Sequence, residues 1–140
     1  MRVAKFGFAA LAVLWFGPAF AEEPVFEPLP LLDLTGVDPE FADDMFGQWT
    51  IHDASGEKSC AIELKQEVTI GGMEIGVDLG CEKVFPVMAD ITAWRLLEGW
   101  TIDLADAERK TRVRFSTPDE RYVAIPEVDG IATIEPMPLD

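Results

Sequence analysis

From Gly47 onward, hydrophobic and polar positions alternate with a period of two. Trp49 and Ile51 alternate with Gln48, Thr50 and His52, and Cys60, Ile62 and Leu64 with Ala61, Glu63 and Lys65. Met73, Ile75, Val77 and Leu79 alternate with Glu74, Gly76 and Asp78. Trp100, Ile102 and Leu104 alternate with Thr101, Asp103 and Ala105, and Val113 and Phe115 with Arg112 and Arg114. This pattern predicts half-buried antiparallel strands, one face packed and the other wet. Turn chemistry separates the runs at Ala54-Ser55-Gly56, Gly71-Gly72, residues 105–108, Thr117-Pro118-Asp119 and Asp129-Gly130. Adding residues 93–98, 121–125 and 131–135 gives about eight short strands, at the spacing of a sandwich or barrel. Barrel closure would also remove exposed sheet edges. Residues 82–91 break the alternation at Phe85-Pro86 and Met88-Ala89-Asp90, which predicts a loop or helical turn there.

Ahead of the strands the pattern changes twice. Asp38-Pro39 is a helix start, a side-chain cap followed by proline at the first helical position. Phe41, Met45 and Phe46 at helical spacing and Gly47 at the end predict a short helix over residues 39–46. Residues 24–34 carry Pro24, Pro28 and Pro30 among Val25, Phe26, Leu29, Leu31, Leu32 and Leu34. The prolines forbid a regular helix or central strand, so this stretch is extended or polyproline-like. Its apolar content fits two readings, a tail packed along the domain surface or an extended segment held for a partner.

The N-terminus revises the overall composition. Arg2 and Lys5 precede an apolar run over residues 6–16, Gly17-Pro18 breaks it, and Ala19-Phe20-Ala21 supplies the small residues of a cleavage site. This predicts a secretory signal peptide over residues 1–21, cleaved after Ala21. The run falls short of the roughly 20 apolar residues that a membrane span needs, so no membrane anchor is expected. The chain has 11 basic and 26 acidic residues, net −15. Cleavage would remove two bases and no acid, leaving net −17. Eight acids and no base fall within residues 22–46. Such a balance argues against nucleic-acid binding. Three regions follow: a signal peptide (1–21), an extended acidic proline-rich segment (22–38) and a β-domain (39–140).

Cys60 and Cys81, an even pair in an exported chain, read as one structural disulfide. Their spacing is not that of a redox CxxC, and no histidine cluster completes a zinc site. Catalytic chemistry finds little support. His52, the single histidine, sits on the polar phase of a strand, and no nucleophile motif surrounds Ser55, Ser59 or Ser116. Asp103, Asp106 and Glu108 approach a calcium-loop spacing but lack its glycine, so a solvated turn is expected. The chain reads as a non-enzyme without cofactor or metal. A barrel this small should be filled by its own side chains, Trp49, Trp94, Trp100 and Phe115 among them, rather than enclose a ligand as a lipocalin does.

One family resemblance rests on residues in order along the chain. Gly47-Gln48-Trp49 is followed by Ser59-Cys60-Ala61-Ile62-Glu63-Leu64, Gly80-Cys81, Phe85-Pro86 and Trp94-Arg95. Gly99-Trp100-Thr101-Ile102-Asp103-Leu104-Ala105-Asp106, Phe115 and Tyr122 complete the set. Over residues 39–124 the chain resembles the bacterial alkaline protease inhibitors, small periplasmic proteins that block serralysin-type zinc metalloproteases. The resemblance implies a lipocalin-like, eight-stranded, up-and-down antiparallel β-barrel with one disulfide. It also implies a monomer, periplasmic or secreted, whose partner is a serralysin-type metalloprotease. In that family a short N-terminal trunk enters the active-site cleft and its amino terminus approaches the catalytic zinc. Carried over, this makes Glu22, Glu23, Pro24, Val25 and Phe26 the protease-binding residues, with Glu22 facing the zinc.

The chain departs from the family in two places. Its 17 residues ahead of the short helix exceed the family's few, and fully extended they would reach roughly 55 Å. Ala105-Asp106-Ala107 stands where the family turn usually has glycine. The alternative role is a non-inhibitory cell-envelope binding or assembly module, in which residues 25–34 add as a strand to a partner's groove.

Overall fold

A computed structural model describes residues 24–138. The predicted signal peptide, its cleavage site, Glu22 and Glu23 lie outside the described residues. Eight antiparallel strands follow one another around a closed barrel: β1 (Gly47–Asp53), β2 (Ser59–Thr69), β3 (Gly72–Val77), β4 (Ile91–Leu97), β5 (Thr101–Asp106), β6 (Thr111–Ser116), β7 (Tyr122–Val128) and β8 (Ile131–Pro136). Closure runs through β1 and β8, with Ile51 opposite Ile134. The expected up-and-down barrel is thus the observed fold.

Alternation along the strands fills the interior. Trp94, Phe85, Phe115, Ile51, Leu64, Ile102, Leu104 and Val113 are all enclosed, and Trp49 is buried with them. The Trp49 indole donates to the Met45 carbonyl (3.0 Å) and that of Trp94 to the Lys65 carbonyl (2.9 Å), so each polar tip is satisfied. Trp100, expected in the core, is only half-buried, because it stands in the 3-10 turn between β4 and β5. Gly72, at φ +155°, lies where β3 crosses β4, and an added Cβ would overlap the Trp94 carbonyl oxygen. Only glycine lets the two backbones approach there.

Two short helices complete the chain, α1 (Pro39–Asp43) and α2 (Cys81–Val84). Asp38 caps α1 by accepting from the Glu40 amide (3.0 Å). The helix stops earlier than the predicted residue 46. Its last turn tightens through bonds from Met45 N to Ala42 O and from Phe46 N to Asp43 O, turning the Met45 carbonyl toward the Trp49 indole. Cys60 on β2 and Cys81 at the start of α2 form the predicted disulfide, with Cα atoms 5.1 Å apart. To bring Cys81 to β2 the chain leaves β3 at Val77 and turns at Asp78. Leu79, expected as the last inward residue of β3, is therefore 91% exposed at the tip. Past α2, a 3-10 segment (Pro86–Asp90) adds Val87 and Met88 to the core.

β5 departs most from expectation. Thr101, Asp103 and Ala105, read as its wet face, are buried along with Ile102 and Leu104. Strand β5 is covered on both sides. On the outer side Asp103 is held by Arg114 of β6, which also contacts the proline-rich segment.

Candidate functional site

Residues 24–38 form an extended leader that is docked on the barrel. Pairing begins where β3 runs out. Met73 opposite Trp94 is the one register pair between β3 and β4, and β3 begins at Gly72, so the far end of β4 lacks a partner strand. The leader takes that edge: the Leu32 amide donates to the Leu96 carbonyl (3.0 Å), and the Glu98 amide donates to the Pro30 carbonyl (2.9 Å). Leu31 and Leu97 form an antiparallel bridge. These bonds satisfy backbone groups that would otherwise form an open sheet edge. Pro30 suits this position because its carbonyl accepts and no amide is needed. Leu32 and Leu34 pack against the core. Asp33 then closes a 3-10 turn (Leu34–Gly36) by accepting from the Thr35 hydroxyl (2.6 Å) and amide (3.0 Å). These two bonds hold the Asp33 carboxyl below the usual aspartate range.

A second attachment lies further toward the N-terminus, on β6. Arg114 Nη1 donates to the Glu27 carbonyl (2.7 Å), and its guanidinium lies 5.3 Å from the centre of the Phe26 ring. The same side chain grips Asp103 on β5 with two parallel bonds, Nε to Oδ1 (2.7 Å) and Nη2 to Oδ2 (3.0 Å). Thr111 donates a third bond to Asp103 Oδ2 (2.6 Å). Asp103 is 1% exposed and Arg114 8%. In register, Arg95 on β4 stands opposite Asp103, and Asp103 stands opposite Arg114. One rung across three strands thus carries a basic, an acidic and a basic residue. Asp103 is therefore not part of a solvated calcium-like turn. Its carboxylate is the buried counter-ion that fixes Arg114 for the leader.

Asp106 and Glu108 do occupy the β5–β6 turn. Asp106 Oδ1 accepts from the amides of Glu108 (2.9 Å) and Lys110 (3.0 Å). Partial burial raises the Asp106 carboxyl, but those amides and the Arg112 guanidinium outweigh it and hold the group below its usual range. The alanines flanking Asp106 are compatible with this turn, in which the positive φ falls on Arg109 (67°) instead.

Between the leader and this wall lies a groove of about 330 Å³. Leader residues Pro24, Phe26, Glu27 and Pro28 form one side, and Arg95, Arg109, Lys110, Arg112 and Arg114 the other. Five of the chain's 11 basic residues therefore gather beside its most acidic segment. Arg112 reaches Asp90 (3.3 Å) and Asp106 (3.4 Å), while Arg95 bonds the Arg109 carbonyl (3.2 Å) and Thr111 (3.1 Å). The cluster gives the acidic leader an electrostatic reason to lie on this wall.

The expected protease-binding residues are divided by this arrangement. Phe26 is docked on Arg114 and Pro24 is half-buried beside the groove, while Val25 is 95% exposed. Glu22 and Glu23 fall outside the described residues. Elsewhere, His52 Nε2 lies 3.0 Å from Glu135 across β1 and β8, and Ser55 donates to Asp53 in the β1–β2 turn. Among the described residues no group of His, Cys, Asp or Glu side chains is placed to hold a metal ion. Sequence reasoning missed Arg114 as a leader contact and Asp103 as the carboxylate that holds it. Their opposite charges on the polar phase of adjacent strands were the available signal, but only the register makes them a pair.

Comparison with known proteins agrees with the barrel. No curated protein matches the sequence. The family model described as "Protease inhibitor Inh" matches residues 40–134, the short helix and nearly the whole barrel, and the chain belongs to this protease inhibitor family.

Proposed function

We propose that this protein inhibits a secreted zinc metalloprotease of the serralysin type, and that the residues ahead of Phe26 enter its active-site cleft. Export through the predicted signal peptide would bring it to the periplasm or beyond, where it would meet such an enzyme. The observation that carries the reading is the contrast between Phe26, held on Arg114, and Val25, fully open to solvent. A flexible leader of 17 residues would overshoot a cleft, whereas docking from Phe26 onward would shorten the part that enters to at most four residues, 22–25, of which Pro24 lies beside the groove in the free protein. Extended, four residues reach about 14 Å. Proline at position 24 stiffens that arm, so it loses little entropy on binding. A cleft built for extended peptide accepts it as a strand-like ligand. An α-amine at the protease's zinc would replace the attacking water and stop hydrolysis before it begins.

The assembly-module reading draws on the same leader as an added strand. Pro30 and Leu32, however, already spend their backbone groups on β4.

The test compares the protein beginning at Glu22 with one beginning at Asp38, each titrated against a serralysin-type protease with a peptide substrate. The longer form is expected to inhibit competitively and the shorter form to lose at least about a hundredfold in affinity, close to 2.8 kcal/mol. Equal inhibition by both forms would exclude the arm, and no inhibition by either would favour the assembly module.

A further inference from the structure

We infer that Arg114, held by Asp103, is a positioning residue that sets how far the inhibitory arm reaches; this rests on the proposed insertion of residues 22–25. The leader has two attachments, and they differ in what they control. Pairing at Pro30 and Leu32 completes the edge of β4, well behind the arm. The Arg114 contacts come at Glu27 and Phe26, the last residues before exposed Val25. They are the anchor nearest the N-terminus that holds both backbone and side chain of the leader among the described residues, with Pro24 lining the groove just beyond it.

Arg114 is built for that role. Its guanidinium presents donors in a planar fork, and Asp103 occupies two of them in a buried, bidentate pair. That fixes the plane of the group and turns Nη1 toward the Glu27 carbonyl. The guanidinium carbon of the same group lies over the Phe26 ring, 5.3 Å from its centre. One side chain therefore holds both the backbone and a side chain of the leader, while Thr111 keeps the Asp103 carboxylate in place. A lysine at this position would be a point charge with no plane to orient. With the anchor intact, the length of chain between Phe26 and α1 has no influence on arm reach.

Insertions on either side of the anchor test this. Gly-Ser-Gly-Ser is placed between Val25 and Phe26 in one variant and between Val37 and Asp38, past the 3-10 turn, in the other. Both lie at exposed or half-exposed positions outside the barrel core. The insertion ahead of the anchor is expected to weaken inhibition more than about tenfold, since it lengthens the free arm and loosens its presentation. The insertion behind it should leave inhibition within about threefold, as for an ordinary lengthened loop. In parallel, backbone order parameters are measured on the free protein by nitrogen-15 relaxation. Phe26, Glu27 and Leu29 should be near about 0.85 in the wild type and below about 0.6 when Arg114→Met is combined with Asp103→Leu. Equal effects of the two insertions, or unchanged order parameters in the double variant, would overturn the anchor. If the wild-type protein inhibits no such protease, the proposed function fails while the order parameters still decide whether Arg114 holds the leader.

Discussion

Asp103→Ala is expected to destabilise the protein by about 3–5 kcal/mol, as breaking one side of a buried ion pair usually does. The carboxylate is 1% exposed and accepts three bonds, two from Arg114 and one from Thr111. Removing it leaves Arg114, a residue only 8% exposed, without its counter-ion. The cost comes from that stranded charge more than from the lost attraction. Replacing both partners together, Arg114→Met with Asp103→Leu, should therefore cost far less than the single change. Urea unfolding monitored by tryptophan fluorescence reads both values, because the buried indoles report barrel integrity. A single variant within about 1 kcal/mol of wild type would mean that water or another carboxylate reaches Arg114.

The second large effect concerns the disulfide. Replacing Cys60 and Cys81 by alanine should cost about 3 kcal/mol, the loop-closure entropy for cysteines 21 residues apart. The bond joins β2 to the start of α2, and the segment that follows puts Phe85, Val87 and Met88 into the core. Loss of the staple therefore frees a stretch whose apolar residues complete the interior. Thermal unfolding of the wild type with and without reductant should reproduce the change seen on substitution. A loss below about 1 kcal/mol would show that packing of residues 85–88 holds this connection unaided.

The barrel was legible because alternation of period two is a local property. Wherever the interior takes every second side chain and the other face is open, as along β1 and β2, the sequence announces it. It was less legible where a second layer intervenes. Thr101, Asp103 and Ala105 occupy the polar phase of β5 and read as wet, yet cover on the outer face buries them. Period alone reports one face of a strand and is silent about what lies on the other. Leu79 shows a similar limit: it continues the phase of Met73, Ile75 and Val77, but the disulfide turns the chain away first. The leader illustrates a third. Its apolar residues suited either packing on the surface or capture by a partner, and the choice depends on an unpaired edge of β4 more than 60 residues away. The backbone of residues 30–32 is in fact paired with β4 and Phe26 lies against Arg114, while Val25 is open to solvent. No local signal separates them, because the partners Leu96, Glu98 and Arg114 are brought near only by closure of the fold.

Inhibition by the arm can be isolated from every structural role of the leader. A protein beginning at Phe26 keeps the Arg114 contacts, the pairing with β4 and the whole barrel, and lacks only residues 22–25. Its inhibition constant against a serralysin-type protease is the most direct measurement. We predict a loss of at least about a hundredfold relative to the protein beginning at Glu22, with the same unfolding midpoint. Undiminished inhibition by the shortened protein would contradict insertion of the arm and place the contact with the protease on the barrel itself.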